Sequence, residues 1–319
     1  MNLNLMLLAL FLAGPNPAQD PRKTPPVFGA QVENVYIDAF VSSHGVPIQG
    51  LLAADFELRD NGVVQQLDLA ASDAQPLLAV LAFDISNSLE GENVTALRAA
   101  SQALLDTLRP EDEATLFTFA DDIQWLAPPT TDKVAVRRAL DKLQPGGGTP
   151  LMDALYAAIT LPKSRGRTLV VLFTDGVDNL SWLDWRQVQR VAERSNALIH
   201  VVSLQPPSTP APGVAQSPIL YFGGHMVPAE STRFVEFENT WALRQIAETT
   251  GGSYWEAESF GRLKTAFVAI AEGMGKRYVL RYTPENVNRP GWHKVELKLH
   301  GKKGQVRTRT GYWVAGQPR

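Results

Sequence analysis

Five oxygen-bearing side chains occupy positions in the sequence where a metal ion could bind. Asp84 and Asp175 each come directly after an apolar run, LLAVLAF and TLVVLFT respectively. Ser86 and Ser88 follow the first aspartate at alternate positions, and Thr149 follows a run of three glycines. Carboxylate and hydroxyl oxygens form a hard ligand set that suits Mg²⁺, Mn²⁺ or Ca²⁺. Because hydroxyls are neutral ligands, a bound ion would keep much of its positive charge and attract an external carboxylate.

The segments around these residues predict how they are positioned. Continuous apolar runs are typical of strands buried on both faces of a parallel sheet. Over residues 77–272 such strands alternate with segments of helical spacing, which predicts right-handed βαβ units in a doubly wound, mostly parallel, Rossmann-like α/β sheet. Ligands of such sheets bind beyond the carboxyl ends of the strands, where both aspartates are expected. A Pro-rich insertion over 205–238 is expected to be either a mobile loop or a functional surface.

Both flanks of this region have extended character. Residues 27–76 and 277–315 alternate apolar and polar side chains, and Asp60-Asn61-Gly62 is a strong hairpin signal. We predict one small, β-sandwich-like module built from both flanks, with the α/β domain inserted between them.

The N-terminus predicts export. The apolar run of about eleven residues in LNLMLLALFLA is too short to cross a bilayer, which takes about 20, and small and turn residues follow it. Residues 1–18 are therefore interpreted as a signal peptide, and the protein is expected to be secreted or periplasmic. No other segment has membrane-spanning length, so we expect no integral membrane segment in the mature chain.

Composition excludes several classes of function. The 319 residues include no cysteine, which excludes disulfides, thiolate catalysis and cysteine-ligated zinc. The balance of 30 basic and 33 acidic residues gives no electrostatic drive toward nucleic acid, and no nucleic-acid partner is expected.

The pattern Asp84-x-Ser86-x-Ser88, followed by Thr149 and by Asp175-Gly176, resembles the metal-ion-dependent adhesion site of von Willebrand factor type A domains. The resemblance covers about residues 77–272. The wider chain is similar to a bacterial family of related proteins described from Acidobacteria, through the segments GLLAADFELRDNG and YVLRYT on the two flanks.

The resemblance implies a function in binding and no enzymatic activity. The hydroxyls of Ser86, Ser88 and Thr149 would ligate Mg²⁺ or Mn²⁺, with Ca²⁺ as a further option. Asp84 and Asp175 would act chiefly through metal-bound water, or one of them directly. A protein partner would complete the coordination with an Asp or Glu side chain.

Other interpretations of the same residues stay open at this point. The aspartates could cap helices and the serines could form turns. The metal could stabilise the fold without any partner. An aspartate-dependent phosphohydrolase is a further alternative, although its usual second carboxylate is replaced by Ser86. Trp182 lies near the expected metal edge and is either an exposed binding residue or packed against the sheet, whereas His200 is expected to be a hydrogen-bonded core residue.

Overall fold

The computed structural model describes most of the chain beyond its N-terminal segment. The described residues are 34–70, 76–87, 89, 91–163, 166–174, 178–204, 219–222, 225–287 and 289–315, with the backbone alone for 219–222 and 225–238. The predicted signal peptide lies outside these residues and stays a prediction, as do the predicted domain boundaries.

The structure alternates strands and helices through its middle, and the described residues of both flanks form strands, with one 3-10 turn at Ala53–Asp55. The strands in chain order are β1 (Val35–Ser43), β2 (Val46–Pro47), β3 (Phe56–Asp60), β4 (Val63–Gln65), β5 (Asp68–Ala70), β6 (Leu77–Asp84), β7 (Glu113–Phe119), β8 (Ile123–Thr130), β9 (Arg167–Thr174), β10 (Ala197–Leu204), β11 (Ile219–Phe222), β12 (His225–Pro228), β13 (Tyr254–Ala257), β14 (Tyr278–Tyr282), β15 (Gly291–Leu299), β16 (Gln305–Arg307) and β17 (Gly311–Val314). The helices are α1 (Glu92–Asp106), α2 (Lys133–Leu140), α3 (Leu151–Thr160), α4 (Trp185–Arg194), α5 (Ala229–Thr249) and α6 (Leu263–Gly275).

The central sheet has six strands in the order β13-β10-β9-β6-β7-β8. All neighbouring pairs are parallel except β7 and β8, which are antiparallel. Every residue of β6 is buried, because helices cover both faces of the sheet. Helices α1, α2 and α6 contribute apolar side chains to the core on one face, and α3, α4 and α5 to the core on the other. The predicted doubly wound α/β fold is confirmed.

The flanking strands form two further sheets. One has the order β16-β1-β14-β5, with β2 beside β1, and the other has the order β17-β15-β3-β4. Each sheet therefore pairs strands that precede the central sheet with strands that follow it, as predicted for a module built from both flanks. The predicted hairpin joins β3 to β4, and both of its turn residues, Asn61 and Gly62, have positive φ (46° and 85°), as this tight turn requires.

A buried polar network fastens the flanking strands together. Asp60, the last residue of β3, lies 2.9 Å through Oδ1 from His293 Nδ1. Its Oδ2 accepts hydrogen bonds from the hydroxyls of Tyr312 at 2.6 Å and Tyr282 at 3.0 Å. His293 Nε2 lies 2.8 Å from the carbonyl oxygen of Arg289, which can only accept. The network joins four strands, β3, β14, β15 and β17, at one carboxylate.

Two elements differ from what the sequence pattern predicts. Helix α5 begins at Ala229, whereas the sequence predicts a helix only from Trp241, because the residues before it were assigned to the Pro-rich insertion. Strand β8 was not predicted, since it contains Pro128 and Pro129 and its side chains are mostly exposed or half-buried. Prolines are tolerated there because β8 is an edge strand.

The predicted Pro-rich insertion contains regular structure in its second half. The hairpin β11-β12 and the start of α5 fall within residues 205–238, and residues 205–218 and 223–224 lie outside the described part. Across the described helices, none is both long and apolar enough to span a membrane.

Candidate metal centre

Asp84 is the residue of the candidate site whose side chain is held in place by hydrogen bonds to both of its carboxylate oxygens. It ends β6 and is fully buried. Its Oδ1 accepts a hydrogen bond from the backbone N–H of Ser86 at 3.1 Å, and its Oδ2 accepts one from the hydroxyl of Thr174 at 2.7 Å. These bonds fix the orientation of the carboxylate and hold the Ser86 turn and the end of β9 beside it. Helix α1 has Gly91 as its N-cap, so Asp84 does not cap that helix.

The glycine loop before Thr149 lies directly against the Ser86 turn. The backbone N–H of Gly146 donates to the carbonyl oxygen of Ile85 at 2.9 Å. Asn87 makes two bonds to Gly147, since its N–H donates to the glycine carbonyl at 3.4 Å and its Oδ1 accepts from the glycine N–H at 3.2 Å. The loop and the turn therefore form one connected surface at the carboxyl edge of the sheet.

Thr149 is tied to the segment that follows β9. Its backbone N–H donates to Asn179 Oδ1 at 2.8 Å, and its carbonyl oxygen accepts from the N–H of Asn179 at 3.1 Å. Thr149 itself is buried. This reciprocal pair fixes the threonine at the start of α3, on the same edge as Asp84.

Gly147 shows why this loop contains glycine. Its φ is +90°, and a Cβ at this position would lie 2.6 Å from Cγ of Asp121. The Asp121 carboxylate accepts a hydrogen bond from the N–H of Gly148 at 2.9 Å, which brings the loop this close. Only a residue without a side chain fits both the backbone conformation and the approach.

Of the five predicted ligands, the structure places three at this edge. Asp84, Ser86 and Thr149 are held on segments that hydrogen bond to one another. Ser88 and Asp175 lie outside the described residues, so their part in the site stays a prediction. Thr174, the residue directly before Asp175, is in contact with Asp84.

Four further residues that position the site were missed by the sequence analysis. They are Asn87, Asp121, Thr174 and Asn179, and each bonds to a predicted ligand or to the glycine loop. Each of them lies at the carboxyl end of β6, β7 or β9 or in the segment that follows one of these strands. These residues could have been predicted from this shared position, because the carboxyl ends of neighbouring parallel strands meet at one edge of the sheet.

A rigid loop borders the edge after Asn179. The Asp178 carboxylate accepts hydrogen bonds from the N–H groups of Met152 and Ser181, both at 3.0 Å, and burial raises the pKa of this carboxyl above its ordinary value. The Asp153 carboxylate accepts from the N–H groups of Trp182 and Leu183 at 3.0 and 2.9 Å. The backbone under Trp182 is therefore fixed from two sides.

The Trp182 side chain is 95% exposed, so it does not pack against the sheet. Trp185, by contrast, contacts Trp241 edge to face with ring centroids 5.0 Å apart. A large aromatic side chain on a fixed backbone loses little conformational entropy on binding, which favours it as a contact residue.

The residues present fit a hard divalent cation. The site offers the Asp84 carboxylate and the hydroxyl oxygens of Ser86 and Thr149, which are the ligand types that such cations take. Among the described residues, no group of three or more His, Asp or Glu side chains is placed to hold a metal ion. A cation bound through so few protein atoms would keep several waters, as Mg²⁺ commonly does.

Comparison with known families agrees with this geometry. Residues 79–177 match the family model of the von Willebrand factor type A domain. Over this segment the chain is similar to a von Willebrand factor type A domain. The matched segment runs from within β6 to just past β9, so it includes all five predicted ligands, and the predicted resemblance is confirmed.

Several known proteins are similar to the chain over part of its length. A UPF0353 protein of Mycolicibacterium paratuberculosis is 24% identical over 220 residues, which cover 62% of this chain and 60% of that protein. Human inter-alpha-trypsin inhibitor heavy chain H2 is 28% identical over 132 residues, which cover 37% of this chain and 14% of the heavy chain. The solved von Willebrand factor type A structure from Catenulispora acidiphila has a TM-score of 0.49 and 12% identity, covering 88% of this chain and 74% of that one.

Proposed function

We propose that the protein is an extracytoplasmic, metal-dependent protein-binding module. Its ligands for Mg²⁺ or Mn²⁺ are the side chains of Asp84, Ser86, Ser88, Thr149 and Asp175. A protein partner completes the coordination with an Asp or Glu side chain. The observation that carries this proposal is the set of hydrogen bonds that fastens the Ser86 turn and the Thr149 loop to the edge at Asp84.

The charge of the site explains why an acidic partner is expected. When bound, a divalent cation supplies positive charge that the neutral hydroxyls of Ser86 and Thr149 leave largely uncompensated. Asp84 is buried and both of its oxygens already accept hydrogen bonds, which favours action on the metal's waters over direct contact. A carboxylate from outside therefore adds the charge that the protein's own ligands lack.

The same burial disfavours the phosphohydrolase alternative. A nucleophilic aspartate needs an oxygen aimed at substrate phosphorus. The Asp84 oxygens are directed at the N–H of Ser86 and the hydroxyl of Thr174, inside the protein. Binding through a metal needs no such access for Asp84.

Trp182 completes the proposed binding surface. It stands beside the metal edge on a loop that both Asp153 and Asp178 hold in place. Aromatic side chains are enriched among the residues that dominate the energetics of protein interfaces. We assign it a contact with the partner next to the coordinated carboxylate.

Calorimetric titration of chelator-treated protein with Mn²⁺ and Mg²⁺ tests the metal site. We expect saturable binding by the wild type and none by Asp84→Ala, because the carboxylate organises both the Ser86 turn and the ion's waters. Thr149→Val removes one hydroxyl at nearly constant shape and should weaken binding about tenfold or more. Thr160→Val is the matched control, since Thr160 lies on α3 away from the edge and donates only to its own helix at Tyr156.

Repeating the titrations with an excess of an acidic peptide separates adhesion from a structural role. A partner-dependent site binds the metal more tightly when the peptide is present, and reciprocally binds the peptide more tightly when the metal is present. Metal binding that is saturable but indifferent to the peptide would favour the structural alternative. Equal Mn²⁺ affinity in wild type and Asp84→Ala would refute the site itself.

A further inference from the structure

A cavity lies at the junction of the central sheet with the flanking strands, and none of the predicted metal ligands lines it. Its volume is about 410 Å³, and its walls are α6, β10 and β13 on one side and β1, β2 and β16 on the other. The chemistry-bearing lining residues are His200, Trp255, Glu272, Lys276, Arg277 and Arg307.

Arg277 brings a buried positive charge to this cavity. Its side chain is almost completely buried, and Nη2 donates to the carbonyl oxygens of Asp38 and Gly251, both at 3.1 Å, and of Arg307 at 3.4 Å. All of these acceptors are neutral, and Nε has no acceptor among the described residues. Burial lowers the pKa of this guanidinium to about 10, so it stays charged at neutral pH.

Arg307 adds a second guanidinium with even fewer partners. It stacks over the ring of Phe40 at 4.9 Å, and its buried Nε has no acceptor in the described part of the chain. The indole Nε1–H of Trp255, in the cavity wall, is likewise buried and without an acceptor there. Buried donors of this kind are rare in folded proteins, because each one costs free energy unless a partner satisfies it.

The acidic groups nearby are already paired elsewhere. The Asp38 carboxylate bonds to Arg167 at 2.5 Å, and Glu272 pairs with Lys276 at 3.5 Å. His200 is held neutral, because burial and the two arginines keep its pKa well below the ordinary value, and its Nδ1 lies 2.7 Å from the hydroxyl of Ser253. With this hydrogen bond and with only 3% of the residue exposed, His200 is the hydrogen-bonded core residue that the sequence predicts. Among the described residues, the two guanidiniums are therefore left without a carboxylate partner.

We propose that this cavity binds a small oxyanion of the phosphate or sulfate class between Arg277 and Arg307. The guanidinium of Arg307 presents a planar fork of donors that matches a tetrahedral oxyanion, and the same ion offers further oxygens to Nε of Arg277 and to the indole N–H. The volume accommodates such an ion together with several waters, each of which takes about 30 Å³. The site is separate from the metal centre and holds whether or not the protein binds a metal.

Phosphate and sulfate titrations of chelator-treated protein test this proposal. Isothermal calorimetry at fixed ionic strength, balanced with chloride, should show saturable binding by the wild type. Arg307→Gln should weaken the affinity about tenfold or more, because it removes a charge-assisted, bidentate donor. Arg307→Lys keeps the charge without the fork and should fall between the two.

Two further variants keep the result interpretable. Arg190→Gln removes the same charge from an exposed position on α4 that does not line the cavity, and its phosphate affinity should equal that of the wild type. Trp255→Phe keeps the ring, removes one donor and should weaken binding about two- to tenfold. Absence of saturable binding by the wild type, or equal affinity in Arg307→Gln and wild type, would overturn the proposal.

Discussion

Two aspartates of this molecule occupy matching positions and do different things. Asp60 ends β3 and Asp84 ends β6, and both are completely buried. The partners of Asp60 are side chains on three other strands, which close around it. The partners of Asp84 include the N–H of the turn that follows it, at the edge of the sheet where loops meet. Burial alone therefore does not separate a structural carboxylate from a proposed metal ligand, and what distinguishes Asp84 is its place at the edge of the sheet.

The largest expected effect comes from breaking the closed network. Asp60→Ala leaves His293 and two tyrosine hydroxyls without their common acceptor, and we expect it to lower the free energy of unfolding by about 3–5 kcal/mol. Urea denaturation followed by circular dichroism measures this. Asp68→Ala is the control, because its pair with Arg281 is on the surface, and it should cost about 1 kcal/mol or less.

The Asp60→Ala variant also tests whether the flanking network and the proposed metal site are independent. Any folded fraction of this variant should bind Mn²⁺ with wild-type affinity, because the hydrogen bonds of Asp60 all go to flanking strands and none to the metal edge. A loss of metal binding in folded Asp60→Ala would mean that the two regions are coupled after all.

Removing one donor from the network should cost less. Tyr312→Phe deletes the 2.6 Å bond to the Asp60 carboxylate, and a hydrogen bond to a charged group is worth about 1.5–3 kcal/mol. Because Tyr282 donates to the same oxygen, the double variant should not cost the sum of the two single changes. Strict additivity in the denaturation data would contradict a shared acceptor.

At the metal edge, Gly147→Ala tests how tightly the glycine loop is positioned. We expect a loss of about 1–3 kcal/mol in stability, together with weaker Mn²⁺ binding, because the new Cβ would have to displace Asp121. Gly45→Ala is the matched control, since Gly45 has φ +80° but a Cβ there would meet no described atom within 4 Å. If both variants lose the same stability, the loss comes from the positive φ alone and the close approach of Gly147 to Asp121 contributes nothing.

The smallest effect on stability is expected at Trp182. Because its side chain is almost fully exposed, Trp182→Ala should change the free energy of unfolding by no more than about 0.5 kcal/mol. The variant should nevertheless weaken capture of an acidic partner in the presence of Mn²⁺. A large loss of stability would show that the indole is structural, which would remove it from the proposed binding surface.

The α/β sheet and the candidate ligands were accessible from the sequence for a physical reason. Strands such as β6 are buried on both faces, so their residues form unbroken apolar runs, and the two candidate aspartates, Asp84 and Asp175, follow such runs directly. Strand β8 was missed because it is an edge strand with two prolines and mostly exposed or half-buried side chains. The first half of α5 was missed because it lies within residues 205–238, which were interpreted as one Pro-rich insertion.

Long-range pairing set the other limit of sequence analysis. Asp60 belongs to the Asp-Asn-Gly pattern that predicts the hairpin turn. This pattern accounts for an aspartate at that position and does not indicate which residues bond to it. His293 and Tyr312 lie in different strands far along the chain, and no local pattern links them to Asp60. The same holds for Arg277 and Arg307, whose junction cavity exists only when the flanking strands are assembled.

Because early strands pair with late ones, the flanking sheets cannot be completed until the end of the chain has been synthesised. Asp60 and Tyr312 are 252 residues apart in the chain. A ribosome adding about 5–20 residues per second needs roughly 13–50 s to cover that distance. During this interval β1 and β3 lack the neighbours that complete their sheets, whereas the last strand of the central sheet, β13, is made before β14, β15, β16 and β17. The newborn chain must therefore keep those early strands from pairing with other copies until its last strands have been made.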